Sequence, residues 1–348
     1  MFKKNMVISY PILAILSIGK KSFTGMAQTL GKSRDVVRRM LALQPSELNF
    51  NVLHVIARFI FKNKRHLTVA IDDTLIRKMY SKVMVGSGYF YDTKLGRKIR
   101  AFRLMAVAIT DGRYTIPLFG KFLFDPQLLD KPQLSKAELV LHTMLKIQSL
   151  FSDKQLTFAV DGAFTSVELL KLCTQHGIRI EGRMASNRTV IHKGIKYAVK
   201  DLPIIPRGRQ MSRTLEVLWY DMVLSITAHR RIDRHGEETI IYTAATYQAK
   251  PAEHSRTYRH RWTIEAMFRT MKQYLGLNDC FSTTLDVQLN HVSAVFVAYA
   301  LAQLERKKIK ADKPEDAIKA LKQRNYHEAI ARFNRLDLIF KDLGAAHA

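Results

Sequence analysis

The spacing of hydrophobic residues changes twice along the chain. Through residue 65 it is helical. The apolar run 6–18 predicts a first helix. In 23–41, Ala27 and Leu30 pack one helix, Gly31 permits a turn and Ser33 caps another. That next helix would turn Val37, Met40 and Leu41 inward and Arg34, Arg38 and Arg39 outward. The punctuation is that of a helix-turn-helix, with an ordinary helical hairpin as the plainer alternative. Residues 46–61 then set Leu48, Val52, Val55, Ile56 and Phe59 on one helical face. From Leu67 the period shortens to that of strands, predicted at 67–71, 102–110 and 114–124, with Asp111-Gly112 as a hairpin turn. A connector at 125–136, holding Pro126 and Pro132, leads to an amphipathic helix at 137–150. Strands at 156–160 and 178–181 flank a helix at 166–176 closed by Gly177. Short alternating runs, 215–223 and 239–247 among them, fill the next stretch. From Tyr258 the helical period returns, with a strongly apolar helix at 289–304, a charged end at 305–313 and an amphipathic stretch at 317–340.

The order β-β-β-α-β-α-β, with acids ending the first and fourth strands, is that of an α/β ribonuclease H-like core. The expected organisation is a helical domain at 1–65 and a core at 66–186 and 251–304. An inserted all-β module would occupy 187–250, and C-terminal helices 305–348.

Composition narrows the function. The 56 Lys and Arg against 30 Asp and Glu give a formal net charge of +26 over 348 residues. So large an excess repels itself unless a polyanion is the partner, and nucleic acid leads. The basic groups recur through the chain, at Lys94, Arg97, Lys98, Arg100 and Arg103 for example, so a long run of phosphates would be contacted. Two cysteines, Cys173 and Cys280, exclude a disulfide scaffold. The run 6–18 follows Lys3 and Lys4 as a signal sequence would. It is shorter than the roughly 20 residues a span needs, contains Pro11 and lacks a small-x-small cleavage site. A buried helix and no membrane partner are expected.

Candidate chemistry lies in three acids. Asp72 and Asp161 each close a buried strand, and neighbouring strands would bring their carboxylates close enough to call for a divalent cation. At 100° per residue, Tyr258, Arg261, Glu265 and Lys272 share one face of a helix, beside a buried stripe of Ile264, Met267, Phe268, Met271 and Leu275. A metal ligand bordered by phosphate contacts would have this composition; so would a surface ion-pair stripe built on Arg261 and Glu265. Asp73 competes with Asp72 as the first acid but points to the other side of a continuing strand. Trp219 reads first as core, with stacking on an unpaired base as the alternative.

The spacing Tyr258, Arg261, Glu265, Lys272 resembles the signature of the IS4-type bacterial insertion-sequence transposases. Asp72-Asp73-Thr74 is similar to that family's first-aspartate motif. Asp161-Gly-Ala-Phe164, followed by Gly182-Arg183-Met184-Ala-Ser-Asn187-Arg188, is similar to the second. The resemblance implies a DDE triad of Asp72, Asp161 and Glu265 holding two Mg²⁺ or Mn²⁺ ions, which cuts and rejoins double-stranded DNA. Tyr258, Arg261 and Lys272 would contact phosphates near the cleaved end. Further implied are terminal inverted repeats and target DNA as partners, a homodimer joining two element ends, and a bacterial cytoplasmic location on the nucleoid. A domesticated, non-catalytic DNA-binding protein and a related metal-dependent nuclease are the alternatives.

Overall fold

A computed structural model describes residues 6–43, 45–79, 84–123, 134–233 and 235–333. The chain begins with four helices, α1 Met6–Leu16, α2 Phe23–Leu30, α3 Arg34–Ala42 and α4 Ser46–Ile60. Ser22 caps α2 and Gly31 ends it at φ +63°, a left-handed conformation that glycine adopts without steric cost. The buried face of α4 is Asn49, Phe50, Val52, Leu53, Ile56, Ala57 and Ile60, whereas Leu48 and Phe59 lie exposed. The face predicted from spacing is thus rotated, because α4 packs on a C-terminal helix and Asn49 donates to the Ser293 hydroxyl at 2.9 Å.

The strands follow as β1 His66–Arg77, β2 Gly88–Asp92, β3 Arg97–Thr110 and β4 Thr115–Leu123. After α5 Lys136–Leu150 come β5 Gln155–Val160, α6 Val167–Gln175 and β6 Ile180–Met184. Most of the expected connector, residues 125–133, lies outside the described residues, as does residue 124 of the strand before it. β1 runs antiparallel to β3 and parallel to β5, which is parallel to β6, while β4 lies antiparallel on the far edge of β3. Residues Leu67–Ile71 are buried without alternation, as a strand covered on both faces requires. The strand expected to end at Ile71 continues through both aspartates to Arg77, and β2 is an additional short strand that the pattern does not predict.

Between β6 and the next helix the chain forms β7 Thr189–His192, β8 Ile195–Ala198, β9 Ser212–Trp219, β10 Met222–Ile232 and β11 Glu238–Ala245. These do not make a sheet of their own: β11 pairs with β6, so one mixed sheet runs β2-β3-β1-β5-β6-β11-β10-β9-β7-β8. The run 215–223 is not one strand, since the β9–β10 hairpin turns at Tyr220 with φ +56°. Four helices close the described chain, α7 Pro251–Tyr274, α8 Leu285–Ile309, α9 Pro314–Lys322 and α10 Tyr326–Ala331. The amphipathic stretch read at 317–340 is therefore broken, and 334–348 lie outside the described residues. α8 is long and apolar enough to cross a membrane, but it is mostly buried among α1, α4, α9 and β4. Its charged end is partly internal, because Glu305 is buried and accepts a two-pronged ion pair from Arg332. The architecture is mixed α/β.

Candidate active site

β1 and β5 run parallel in register as far as Ile71 and Val160, so Asp72 and Asp161 leave the paired strands side by side. α7 crosses this part of the sheet, packing on β1, β5 and β6. Its inward stripe is the one its periodicity predicts, with Ile264, Met267, Phe268, Met271 and Leu275 all buried. The packing carries Arg261 to the two aspartates. One guanidinium nitrogen, Nη1, lies 2.9 Å from Glu265 Oε1, 3.6 Å from Asp72 Oδ2 and 3.9 Å from Asp161 Oδ1.

The Arg261–Glu265 pair therefore exists, but not as a surface stripe: Arg261 is 4% exposed. Although its burial favours loss of the proton, the charges of Asp161, Glu265 and Asp72 hold the guanidinium above the usual arginine value. Burial pushes the Asp72 carboxyl up to about 7. The Asp161 charge adds to this, against opposing contributions from the Asp73 amide and Arg261. Among the described residues no three His, Cys, Asp or Glu side chains stand close enough together to hold a metal ion by themselves. The acids meet instead at Arg261.

Asp73 faces away. Its carboxylate accepts from Arg103 at 2.6 Å, with Lys136 at 3.8 Å. Thr74 shares the Asp72 side of the strand, where its hydroxyl accepts from Lys272 Nζ at 2.6 Å. Burial brings the Lys272 ammonium down to about 8, helped by the charges of Arg77 and Lys94. Tyr258 is buried, its ring stacked on His229 with centroids 5.2 Å apart, and its hydroxyl has no hydrogen-bond partner.

Behind Asp161, the chain makes a short turn over Gly162–Phe164 before Ser166 caps α6. Gly182, opposite Val160 on β6, supports that turn from below. A Cβ at Gly182 would collide with the Thr165 hydroxyl and come within 2.7 Å of Val160. Beside Asp161 opens a cavity of about 450 Å³ whose lining includes Arg183, Ser186, Arg188 and Trp219. Trp219 is 4% exposed and belongs to the hydrophobic core, with part of its side chain on this cavity.

Arg34, Arg38 and Arg39 stand elsewhere, exposed on α3, whose Val37, Met40 and Leu41 face the core. Sequence reasoning missed a buried network that docks α7. Glu181 of β6 accepts from Tyr247 at 2.8 Å and from Thr243 at 2.9 Å, and lies 3.0 Å from His254 Nδ1 on α7. An acid inside a predicted strand, with its threonine, tyrosine and histidine partners 62 to 73 residues further on, has no local pattern to announce it.

A family model for the transposase DDE domain matches residues 63–301, and the chain belongs to that family. DDE transposase domains use divalent metal ions. Among curated proteins the chain is similar to the probable transposase for insertion sequence element IS5377 of Geobacillus stearothermophilus, at 33% identity over 69 residues. That stretch is 20% of this chain and spans only 18% of the relative's length. Among solved structures, the NurA nuclease from Sulfolobus solfataricus aligns over 57% of this chain and 72% of its own, at 10% identity and a TM-score of 0.28. A likeness that low does not establish a common fold.

Proposed function

We propose that this protein is the transposase of an IS4-type insertion sequence, cutting DNA at the element's ends and joining them to a target. The observation that carries the reading is the convergence of Asp72, Asp161 and Glu265, from β1, the end of β5 and α7, on the single guanidinium of Arg261. The sheet supports a ribonuclease H-like core, since β4-β3-β1-β5-β6 are neighbours and only β3 runs against β1, β5 and β6 within the last four. On this reading residues 1–65 are a DNA-binding helical region, 66–186 and 251–304 the core, 187–250 an insertion and 305–348 a C-terminal support.

The donor chemistry, though not the present spacing of the acids around Arg261, fits Mg²⁺ or Mn²⁺. Three carboxylates supply the hard oxygen ligands such ions prefer, and a buried Asp72 with a raised pKa gains from a nearby cation. Asp72, Asp161 and Glu265 would hold two ions, which when bound acidify an attacking hydroxyl and neutralise the leaving oxygen. Around them the chain's own residues act on the DNA. Lys272, held by Thr74, places a positive charge beside the phosphates next to the cut. Arg261 has the same task beside the acids, and Tyr258, its ring stacked on His229 and its hydroxyl without a partner, would offer that hydroxyl to the same phosphates. The cavity beside Asp161, which Trp219 borders, would take an unpaired base at the cut. Arg34, Arg38 and Arg39 grip the duplex farther out. Two copies of the chain would hold the two terminal repeats in one complex, on the bacterial nucleoid in the cytoplasm.

The test is Glu265→Gln with DNA carrying the inverted repeats that border the reading frame. Binding is expected within about threefold of the parent while Mg²⁺-dependent strand cleavage falls by at least about a thousandfold. Retained nicking removes Glu265 from the site. Cleavage by the parent without joining to a target plasmid makes the protein a nuclease rather than a transposase.

A further inference from the structure

The basic run from Lys94 to Arg100 lies before and along the start of β3, beyond the stretch that faces the acids, with Lys94 near enough to Lys272 for its charge to act on that ammonium. β3 has β1 as a ladder partner only from Ala101 onward and β4 only from Arg103 onward. Before that its ladder partner is β2, with Tyr89 opposite Arg100, Tyr91 opposite Lys98 and Asp92 opposite Arg97. Residues 88–101 thus form a two-stranded ribbon that runs on past the end of the main sheet. Tyr89 and Tyr91 sit on one side of it, 68% and 60% exposed. The Arg100 guanidinium lies 5.1 Å from the Tyr89 ring centroid. Lys94, Arg97 and Lys98 are exposed. The ribbon's one acid, Asp92, is buried, paired with Arg77 at 2.7 Å and bonded to the amides of Lys94 and Leu95 in the turn.

We propose that this ribbon is an arm that grips the DNA duplex away from the cut. Exposed Lys94, Arg97 and Lys98 beside two solvent-facing tyrosines, with the ribbon's one acid already paired to Arg77, fit a polyanion. A two-stranded ribbon also has the width of a DNA major groove. Asp72 pairs with Ala106, five to nine residues along β3 from the ribbon. At about 3.3 Å per residue the arm reaches roughly 17–30 Å from the acids, or about five to nine base pairs of B-DNA. The inference rests on the acids being the cleavage site only for that position along the DNA; the grip itself does not depend on it.

Two variants of the full chain test it, Lys94→Gln/Arg97→Gln/Lys98→Gln and Tyr89→Ser/Tyr91→Ser, with a random-sequence 40-base-pair duplex as probe. The basic triple should weaken binding at least tenfold near 0.15 M salt and reduce the slope of log K against log salt by about two to three. The tyrosine pair should weaken binding severalfold with the slope unchanged. Unaltered thermal melting shows that both variants fold. On DNA that carries the inverted repeats instead, hydroxyl-radical protection five to nine base pairs from the cut should vanish in the basic triple. Affinity and slope equal to the parent's overturn the proposal. So does a loss of self-association in sedimentation equilibrium without a change in DNA affinity, which makes the ribbon an interface between copies. If the parent binds but cuts no DNA, the cleavage reading fails, while the binding loss in the triple still decides the arm.

Discussion

On the proposed reading, two helices present arginines to two kinds of anion. On α7, Arg261 is enclosed, and its charge is met by three carboxylates of the same chain. On α3, Arg34, Arg38 and Arg39 project into solvent, and the one acid on the helix is Asp35 in its first turn. The first arginine is fixed by the fold, and its loss must be felt in stability. The other three project from the fold, and on the proposed reading their loss is felt in binding. Residue type alone does not separate a cation that the fold holds in place from one left in solvent; the number of carboxylates within reach does.

The sharpest way to break the contrast is Arg261→Gln. Severing a buried ion pair costs about 3–5 kcal/mol. The side chains of Asp161 and Glu265 are each more than a third exposed, so solvent screening brings the expected loss to about 2–3 kcal/mol. Urea unfolding in EDTA measures it, and unchanged stability would mean that Arg261 is as dispensable to the fold as the α3 arginines. The converse experiment replaces Arg34, Arg38 and Arg39 with Gln together. Unfolding should move by no more than about 0.5 kcal/mol per site. The salt slope of duplex binding should fall by up to about three, at roughly 0.9 for each phosphate no longer neutralised. If the slope stays, α2 and α3 are an ordinary helical hairpin. The smallest effect separates the two neighbouring aspartates. Asp73→Asn breaks a partly exposed pair with Arg103 and should cost about 1 kcal/mol or less while leaving cleavage largely intact. Asp72→Asn should abolish cleavage, and the opposite ranking would hand the role to Asp73.

Much of α7 is legible in the sequence. Its buried stripe follows from a 3.6-residue period, and the same period sets Arg261 and Glu265 on one side. What the period cannot encode is that Arg261 also reaches Asp72 and Asp161, since this depends on the parallel register of β1 with β5 and on where α7 crosses them. Tyr220 hides a hairpin because a tyrosine at positive φ carries none of the glycine or asparagine signal of a turn. β2 escapes detection because Tyr89 and Tyr91 face solvent, so the strand lacks the apolar side that marks one. The buried face of α4 is displaced by part of a turn from the one its spacing suggests, since the helix that selects it lies more than two hundred residues away.

That distance has a consequence for how the protein is made. Tyr10 of α1 bonds to His291 at 2.8 Å and Asn49 of α4 to Ser293, both on α8, and the second link joins residues 244 apart in sequence. At about 5–20 residues per second of synthesis, the first helices wait roughly 12–50 s on the ribosome before their partner is added. Until then their apolar faces are open to chaperones, proteases and other nascent chains. A messenger cut short before the codons of α8 would therefore yield no small DNA-binding fragment able to compete with the full protein, only a chain destined for degradation.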